Sequence, residues 1–190
     1  MRTKGSSGTK TREAIFQAGL QLIYRYGFEA VSLRRIAAEV GIREGSLYNH
    51  IVSKQALLFQ LVNEHMDHLL ASLDAALRGI EGFAPRLEAF IAFHLTYHME
   101  RQAEVFVINS ELRSLEPDSR ATIVAKRDIY EEALVEILRQ GQVAEPAIAA
   151  KAVIAMLTGI CNWFRPDGRL SIEELVALYT RLVLKGVQAP

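Results

Sequence analysis

Residues 11–58 read TREAIFQAGLQLIYRYGFEAVSLRRIAAEVGIREGSLYNHIVSKQALL. Ile15, Ala18, Gly19, Leu22, Ile23 and Tyr26 recur at the spacing of one helical face, so a helix is expected to begin near Thr11. Gly27 ends it as a left-handed residue, and Phe28 folds back on Ile23. Ser32 is then an N-cap for a short helix whose apolar face is Leu33, Ile36, Ala37 and Val40. Gly41 breaks that helix, with Ile42 as the apolar residue of the break. A third short helix is expected from about Glu44 to His50, burying Leu47 with Ile51 just beyond. Ser53 caps a fourth helix reaching about Leu77, roughly 37 Å long at helical rise. Two short helices joined through a glycine turn, with a third packed across them, make a helix-turn-helix unit. The turn needs Gly41 because a Cβ would clash where the chain reverses.

Outward from this stretch the chain continues as helix. Five more helices are expected near residues 84–101, 103–115, 118–141, 146–164 and 171–186. Pro117 and Pro146 fall in first turns, where a missing N–H costs nothing. Pro166, Asp167 and Gly168 make a turn, and Ser171 with Glu174 forms a capping box. No stretch alternates with period two for long enough to make a strand, so the fold class is all-α with about nine helices. Three segments follow: a flexible basic leader over residues 1–9, a helix-turn-helix domain over 10–54, and a larger helical domain over 55–190.

Composition narrows the possibilities. The chain has 190 residues and is 50% hydrophobic, enough to bury a core. Its single cysteine, Cys161, excludes an intramolecular disulfide framework and a multi-cysteine metal site within one chain. No apolar run approaches 18 residues, and no apolar segment follows the charged start MRTKGSSGTK, so neither a membrane span nor a signal peptide is expected. A cytoplasmic protein that does not associate with membranes is the expectation.

Formal net charge is zero, but its placement is uneven. Residues 1–54 carry nine Lys and Arg against four acids, and the remainder holds 13 basic and 18 acidic side chains. A basic head on an acidic body suits a polyanion bound at one end; a chance distribution of solvated charge gives the same count. Around Tyr48 the third helix presents Glu44, Ser46, Asn49 and His50, short polar groups suited to base edges and phosphates. An ordinary helical hairpin with a solvated face reads the same way.

The quoted stretch resembles the DNA-binding segment of the tetracycline-repressor (TetR) family over about residues 10–60, through the tyrosine of SLYNH, the glycine turn and the lysine of SKQALL. This resemblance implies double-stranded operator DNA as partner. It places Ser32, Tyr48, His50 and Lys54 at phosphate-contact positions, with Arg43 beside them in the DNA-binding set. It places Arg34 where a guanidinium reaches a guanine, and Glu44, Ser46 and Asn49 where bases are read. Asn49 stands where the founding repressor has a bulky aromatic, so that repressor's operator sequence does not carry over. Arg2, Lys4, Lys10 and Arg12 are either an arm reaching along the adjacent groove or a solvated tail.

For the body the resemblance implies a homodimer and a small-molecule effector. The dimer surface is expected on the last two helices, at Ile154, Leu157, Ile160, Trp163, Leu175, Leu178, Tyr179 and Leu182, some of which must also fill the subunit's own core. The ligand pocket is expected among Phe90, His94, Tyr97, Phe106, Asn109, Arg113 and Tyr130, with His98, Met156 and Asn162 nearby, an apolar wall with polar anchors. Residues 111–134 and 162–187 resemble a branch of the family that controls fatty-acid or steroid breakdown and binds acyl-CoA thioesters. Arg113, Arg120 and Arg127 are then candidates for phosphate or carboxylate contacts; the alternative pairs them with Glu111, Glu116, Glu131 or Glu132.

The functional expectation is a ligand-responsive repressor without cofactor, released from a palindromic operator by a hydrophobic effector such as an acyl-CoA. A regulator of efflux responding to hydrophobic drugs is the alternative. A helical metalloenzyme using His94 and His98 is a distant one: their i, i+4 spacing can hold a metal, but the E-x-x-H pairs, H-E-x-x-H, G-x-S-x-G, P-loop and G-x-G-x-x-G patterns are all absent.

Overall fold

A computed structural model describes residues 4–165 and 167–187. Among them are nine α-helices, two short 3-10 turns and no strand. The expected Pro166 turn residue and Arg2 lie outside the described residues, as does the side chain of Lys4.

The chain forms two compact units. The first comprises residues up to His65 together with Ala103–Ile123. It holds α1 (Lys4–Tyr26), α2 (Leu33–Val40), α3 (Glu44–Leu47), the first part of α4 (Lys54–Leu77), nearly all of α6 (Gln102–Ser110), a 3-10 turn at Leu112–Ser114 and the start of α7 (Pro117–Gln140). The second comprises Met66–Gln102 and the chain from Val124 onward. It holds the rest of α4, α5 (Phe83–Glu100), the rest of α7, α8 (Pro146–Thr158), a 3-10 turn at Gly159–Asn162 and α9 (Ile172–Val187). The unit that carries the helix-turn-helix therefore extends past the expected boundary at residue 54 and recruits a distant segment.

In the first unit Ile15, Ile23, Ile36, Leu47, Leu57 and Leu58 are fully buried. Gly19 lets α1 lie close to α4: a Cβ there would fall 2.9 Å from the Leu57 side chain. Gly41, at φ 75°, closes α2 with Gly41 N–H donating to Ala38 O at 3.1 Å and Ile42 N–H to Ala37 O at 3.0 Å. The capping expectations hold. Ser32 Oγ accepts from Arg35 N–H at 3.2 Å, and Ser53 Oγ accepts from Ala56 N–H at 3.0 Å. In the capping box, Ser171 N–H donates to Glu174 Oε2 at 2.8 Å and Glu174 N–H to Ser171 Oγ at 3.2 Å.

Four boundaries depart from expectation. α1 begins at Lys4, so residues 4–9, expected as a flexible leader, lie in its first turns; weak helix formers such as Gly5, Ser6 and Gly8 gave no sequence signal for this. α3 ends at Leu47, and Tyr48–His50 form a turn. There Asn49 N–H bonds Ser46 O and His50 N–H bonds Leu47 O, tightening the chain to i→i−3 spacing as it leads to the buried Ile51. α6 and α8 each give way to a 3-10 turn before the expected ends at residues 115 and 164.

Candidate nucleic-acid interface and effector groove

Leu47 is fully buried and anchors α3, while Glu44, Gly45, Ser46, Tyr48 and Asn49 stand in solvent around it. Tyr48 is 52% exposed. Arg43 precedes α3 and is exposed; His50 is half-buried. Ser32 and Arg34 are exposed at the start of α2, where backbone amides point outward with partial positive charge. Ser32 Oγ accepts its capping bond, which leaves the hydroxyl proton available to an acceptor outside. Arg35, which the sequence reading passed over, lies 3.9 Å above the Tyr26 ring centroid. Lys54 is half-buried: its ammonium donates to Phe28 O at 3.0 Å and sits 4.2 Å from the Phe28 ring centroid. One of its three donors is thereby occupied by the protein itself.

The expected ligand set does not come together. Phe90, His94 and Tyr130 meet inside the second unit, with ring centroids of Phe90 and Tyr130 5.4 Å apart. His94 Nδ1 lies 2.9 Å from Tyr130 Oη and His94 Nε2 3.2 Å from Thr158 Oγ1. Phe106, Asn109 and Arg113 belong instead to the first unit and are exposed; Phe106 packs edge-on against Tyr24 at 5.1 Å. The helical period brings Phe106 round to a different neighbour, which its aromatic character alone did not reveal. Asn162 is exposed, and Met156 is half-buried.

The histidine pair is stacked rather than convergent. The His94 and His98 rings are 3.8 Å apart and within 4° of parallel. His98 Nδ1–H donates to His94 O at 2.8 Å. Both ring nitrogens of His94 are engaged and two imidazole faces oppose each other, so this arrangement does not aim two nitrogen lone pairs at one ion. Burial holds the His94 pKa well below its ordinary value, with His98 adding to the shift. Burial also carries His98 down to about 4 against a backbone hydrogen bond that raises it. Both rings are therefore neutral at pH 7. The half-buried Cys161 thiol is pushed up by burial and stays protonated. No group of three His, Cys, Asp or Glu that could hold a metal occurs among the described residues.

Open space lies elsewhere in the second unit. A groove of about 500 Å³ runs between α4 and α5, walled by Ser72, Ala76, Ala89, Ala92, Phe93 and Thr96. Tyr97, Glu100 and Arg101 complete it. The Arg101 guanidinium lies 4.2 Å over the Tyr97 ring centroid and bonds Glu100 at 3.0 Å. Of the expected ligand residues, Tyr97 lines this groove. Three of the four glutamates weighed as partners for the arginines engage other groups: Glu111 bonds Phe28 N–H and Ser114, Glu131 pairs with Lys151, and Glu132 pairs with Arg139.

The expected dimer residues divide. Leu157, Ile160 and Leu175 are buried in the second unit's own core, and Ile154 and Tyr179 are half-buried. Trp163, Leu178 and Leu182 are 53%, 43% and 54% exposed. On α9, Leu175 and Val183 turn inward while Leu178 and Leu182 turn out, so apolar surface continues past one face. Ile148, Ala152 and Ala155 make a comparable exposed stripe on α8 that the sequence reading missed; their i, i+4, i+7 spacing was the available signal. No helix among the described residues is long and apolar enough to cross a membrane.

Comparison with known proteins matches this architecture. Residues 15–61 match the family model for bacterial regulatory proteins of the tetR family, and residues 82–187 match that of the tetracyclin repressor-like C-terminal domain. The HTH-type transcriptional repressor KstR2 of Mycolicibacterium smegmatis is 26% identical over 195 residues, covering 96% of this chain and 93% of that protein. PfmR of Thermus thermophilus, a TetR family transcriptional regulator, superposes with a TM-score of 0.82 at 30% identity over 92% of this chain and 99% of its own. AibR, solved in complex with isovaleryl coenzyme A and operator DNA, superposes with a TM-score of 0.82 at 28% identity over 90% of this chain and 97% of its own. With an exposed polar face around Leu47 in the first unit and both halves of the family pattern in place, the chain belongs to the TetR family of bacterial regulatory proteins.

Proposed function

We propose that this TetR-family regulator represses transcription by binding a palindromic operator as a homodimer, and that an acyl-CoA thioester releases it. The observation that carries the reading is the exposed set Arg43, Glu44, Ser46, Tyr48 and Asn49 around the buried Leu47, flanked by Ser32, Arg34, His50 and Lys54. Arg34 and the polar residues of the α3 turn meet base edges in the major groove. Ser32, Tyr48, His50 and Lys54 donate to phosphates on either side. One unit of this size contacts too few bases for a specific site, so two act together on a two-fold axis. The exposed residues Ile148, Trp163, Leu178 and Leu182 supply the dimer face, with Ala152 and Ala155 permitting close approach.

Repression follows the likeness to KstR2, a repressor, and the acyl-CoA class follows the likeness to AibR, solved with isovaleryl coenzyme A. The α4–α5 groove receives the apolar part of the effector against Ala76, Ala89, Ala92 and Phe93, with Arg101 beside its polar end. Arg113, Asn109 and Phe106 have no part in this site. Ser72 and Lys54 both belong to α4, so one helix carries both a groove wall and a phosphate donor. The protein performs no catalysis in this role, and it acts in the cytoplasm, where bacterial operator DNA lies.

Equilibrium titration tests the reading. Isovaleryl-CoA and longer acyl-CoAs lower affinity for a duplex selected by the protein, with a coupling of about 1–3 kcal/mol, and the duplex weakens acyl-CoA binding by the same factor. Ala92→Phe fills the groove and blunts that response while leaving ligand-free DNA binding in place. Lys54→Ala lowers the salt slope of DNA binding by about one unit, whereas Arg34→Ala relaxes preference at particular base pairs by about 1–3 kcal/mol. Equal acyl-CoA affinity with and without DNA contradicts the coupled switch, and unchanged DNA binding in both Lys54→Ala and Arg34→Ala contradicts the assigned interface.

A further inference from the structure

α1 and α2 end differently. Past α2 the chain satisfies its own amides through Gly41 and Ile42. Past α1, Gly27 N–H returns to Ile23 O at 2.8 Å, but the next amide has no such partner within the turn. Phe28 N–H instead donates to Glu111 Oε1 at 3.2 Å, from a residue 83 positions away. The carboxylate is oriented from its other side, where Ser114 Oγ–H donates to Glu111 Oε2 at 2.7 Å.

Further bonds close the circuit. Gln55 Nε2–H donates to Ser114 O at 2.8 Å, and the neighbouring Lys54 donates to Phe28 O at 3.0 Å. Phe28 O also accepts from Val31 N–H at 3.2 Å, which shapes the turn leading to Ser32. The backbone of Phe28 is thus gripped on both sides of its Cα, at its N–H by the segment after α6 and at its carbonyl by the first turn of α4. All of these residues lie in the first unit.

We propose that Glu111 is a positioning residue for operator binding: by holding the Phe28 amide it sets the α1–α2 turn, and so aligns Ser32 with Lys54 on either side of the recognition turn. This rests on the DNA-reading role above. Glu111 touches no DNA itself. Its carboxylate supplies the one acceptor that the end of α1 lacks, and a part-buried N–H left without an acceptor destabilises the turn. The same circuit makes residues 111–114 a handle through which the end of α6 acts on the reading surface.

The test uses the full chain, a duplex selected from a random library by the unsubstituted protein, and hydrogen exchange at the Phe28 amide without DNA. Glu111→Ala is expected to lower duplex affinity about tenfold and to speed Phe28 exchange by a similar factor. Glu111→Gln keeps a carbonyl oxygen for Phe28 N–H and is expected within about threefold of the unsubstituted protein in both readouts. Should Glu111→Ala fail to fold, Ser114→Ala leaves the carboxylate in place, removes only its orienting hydroxyl, and is expected to lose about threefold in affinity. Unchanged affinity in Glu111→Ala, or in Ser114→Ala where that stands in, overturns the proposal, and so does an equal loss in Glu111→Ala and Glu111→Gln. If the unsubstituted protein selects no duplex, the DNA-reading role fails first. Phe28 exchange then still decides the clamp, and unchanged exchange overturns it.

Discussion

Between Arg43 and Asn49 the polar side chains stand in water around one buried apolar anchor, Leu47, while on α5 and α7 they turn inward, His94, His98 and Tyr130 bonding one another or the backbone. The first arrangement keeps donors available for a partner. The second engages them inside the fold, where they bond one another, Thr158 and the backbone. Polar residues on a helix therefore signal a binding surface only when the helical period puts them opposite the core. His94, expected as a ligand contact for its polar group beside aromatics, lies on the inward side of that division.

The largest effect expected is on the anchor. Leu47→Ala removes the one fully buried side chain of α3 and should cost about 2–5 kcal/mol, with loss of duplex binding. Thermal unfolding measures the first and fluorescence anisotropy the second. A variant that melts and binds as before would show that α3 needs no interior anchor, removing the contrast between the two regions.

Next comes the inward pair. The folded-state pKa of His98 is depressed to about 4, and that of His94 is depressed as well. The unfolded chain thus binds more protons than the folded one between about pH 4 and the ordinary histidine value of about 6.5. The stabilisation is present above about pH 6.5 and is lost as pH falls towards 4, on the order of 3 kcal/mol for His98. Denaturant unfolding across that range should follow this slope, and His98→Leu should flatten it. A flat profile in the unsubstituted protein would mean that the pair is not buried neutral.

The smallest effect sharpens the comparison from a local motif. Ser171→Ala removes one half of the α9 capping box and should lower stability by about 1 kcal/mol without altering duplex affinity. A change in affinity would tie α9 to the reading surface directly.

The helix-turn-helix was legible because its signals are local. The Gly41 break, the Ser32 and Ser53 caps and the Leu47 anchor each depend on residues within about one helical turn. The exposed face of α3 followed from that period. The effector site was not legible in the same way. Phe90, Phe106 and Tyr130 are equally apolar in sequence, and only packing sends Phe106 to Tyr24 and the other two to His94.

By itself the sequence determined an all-helical chain, most helix ends, the helix-turn-helix and the family, since backbone hydrogen bonding and capping act over a few residues. Only the tertiary structure decided which apolar residues of α8 and α9 face outward, where the groove opens, and that Glu111 completes the end of α1. Those outcomes depend on which helix faces meet across long stretches of chain. An amide at residue 28 carries no local trace of a carboxylate at residue 111, so the pairing becomes visible only once the helices have packed.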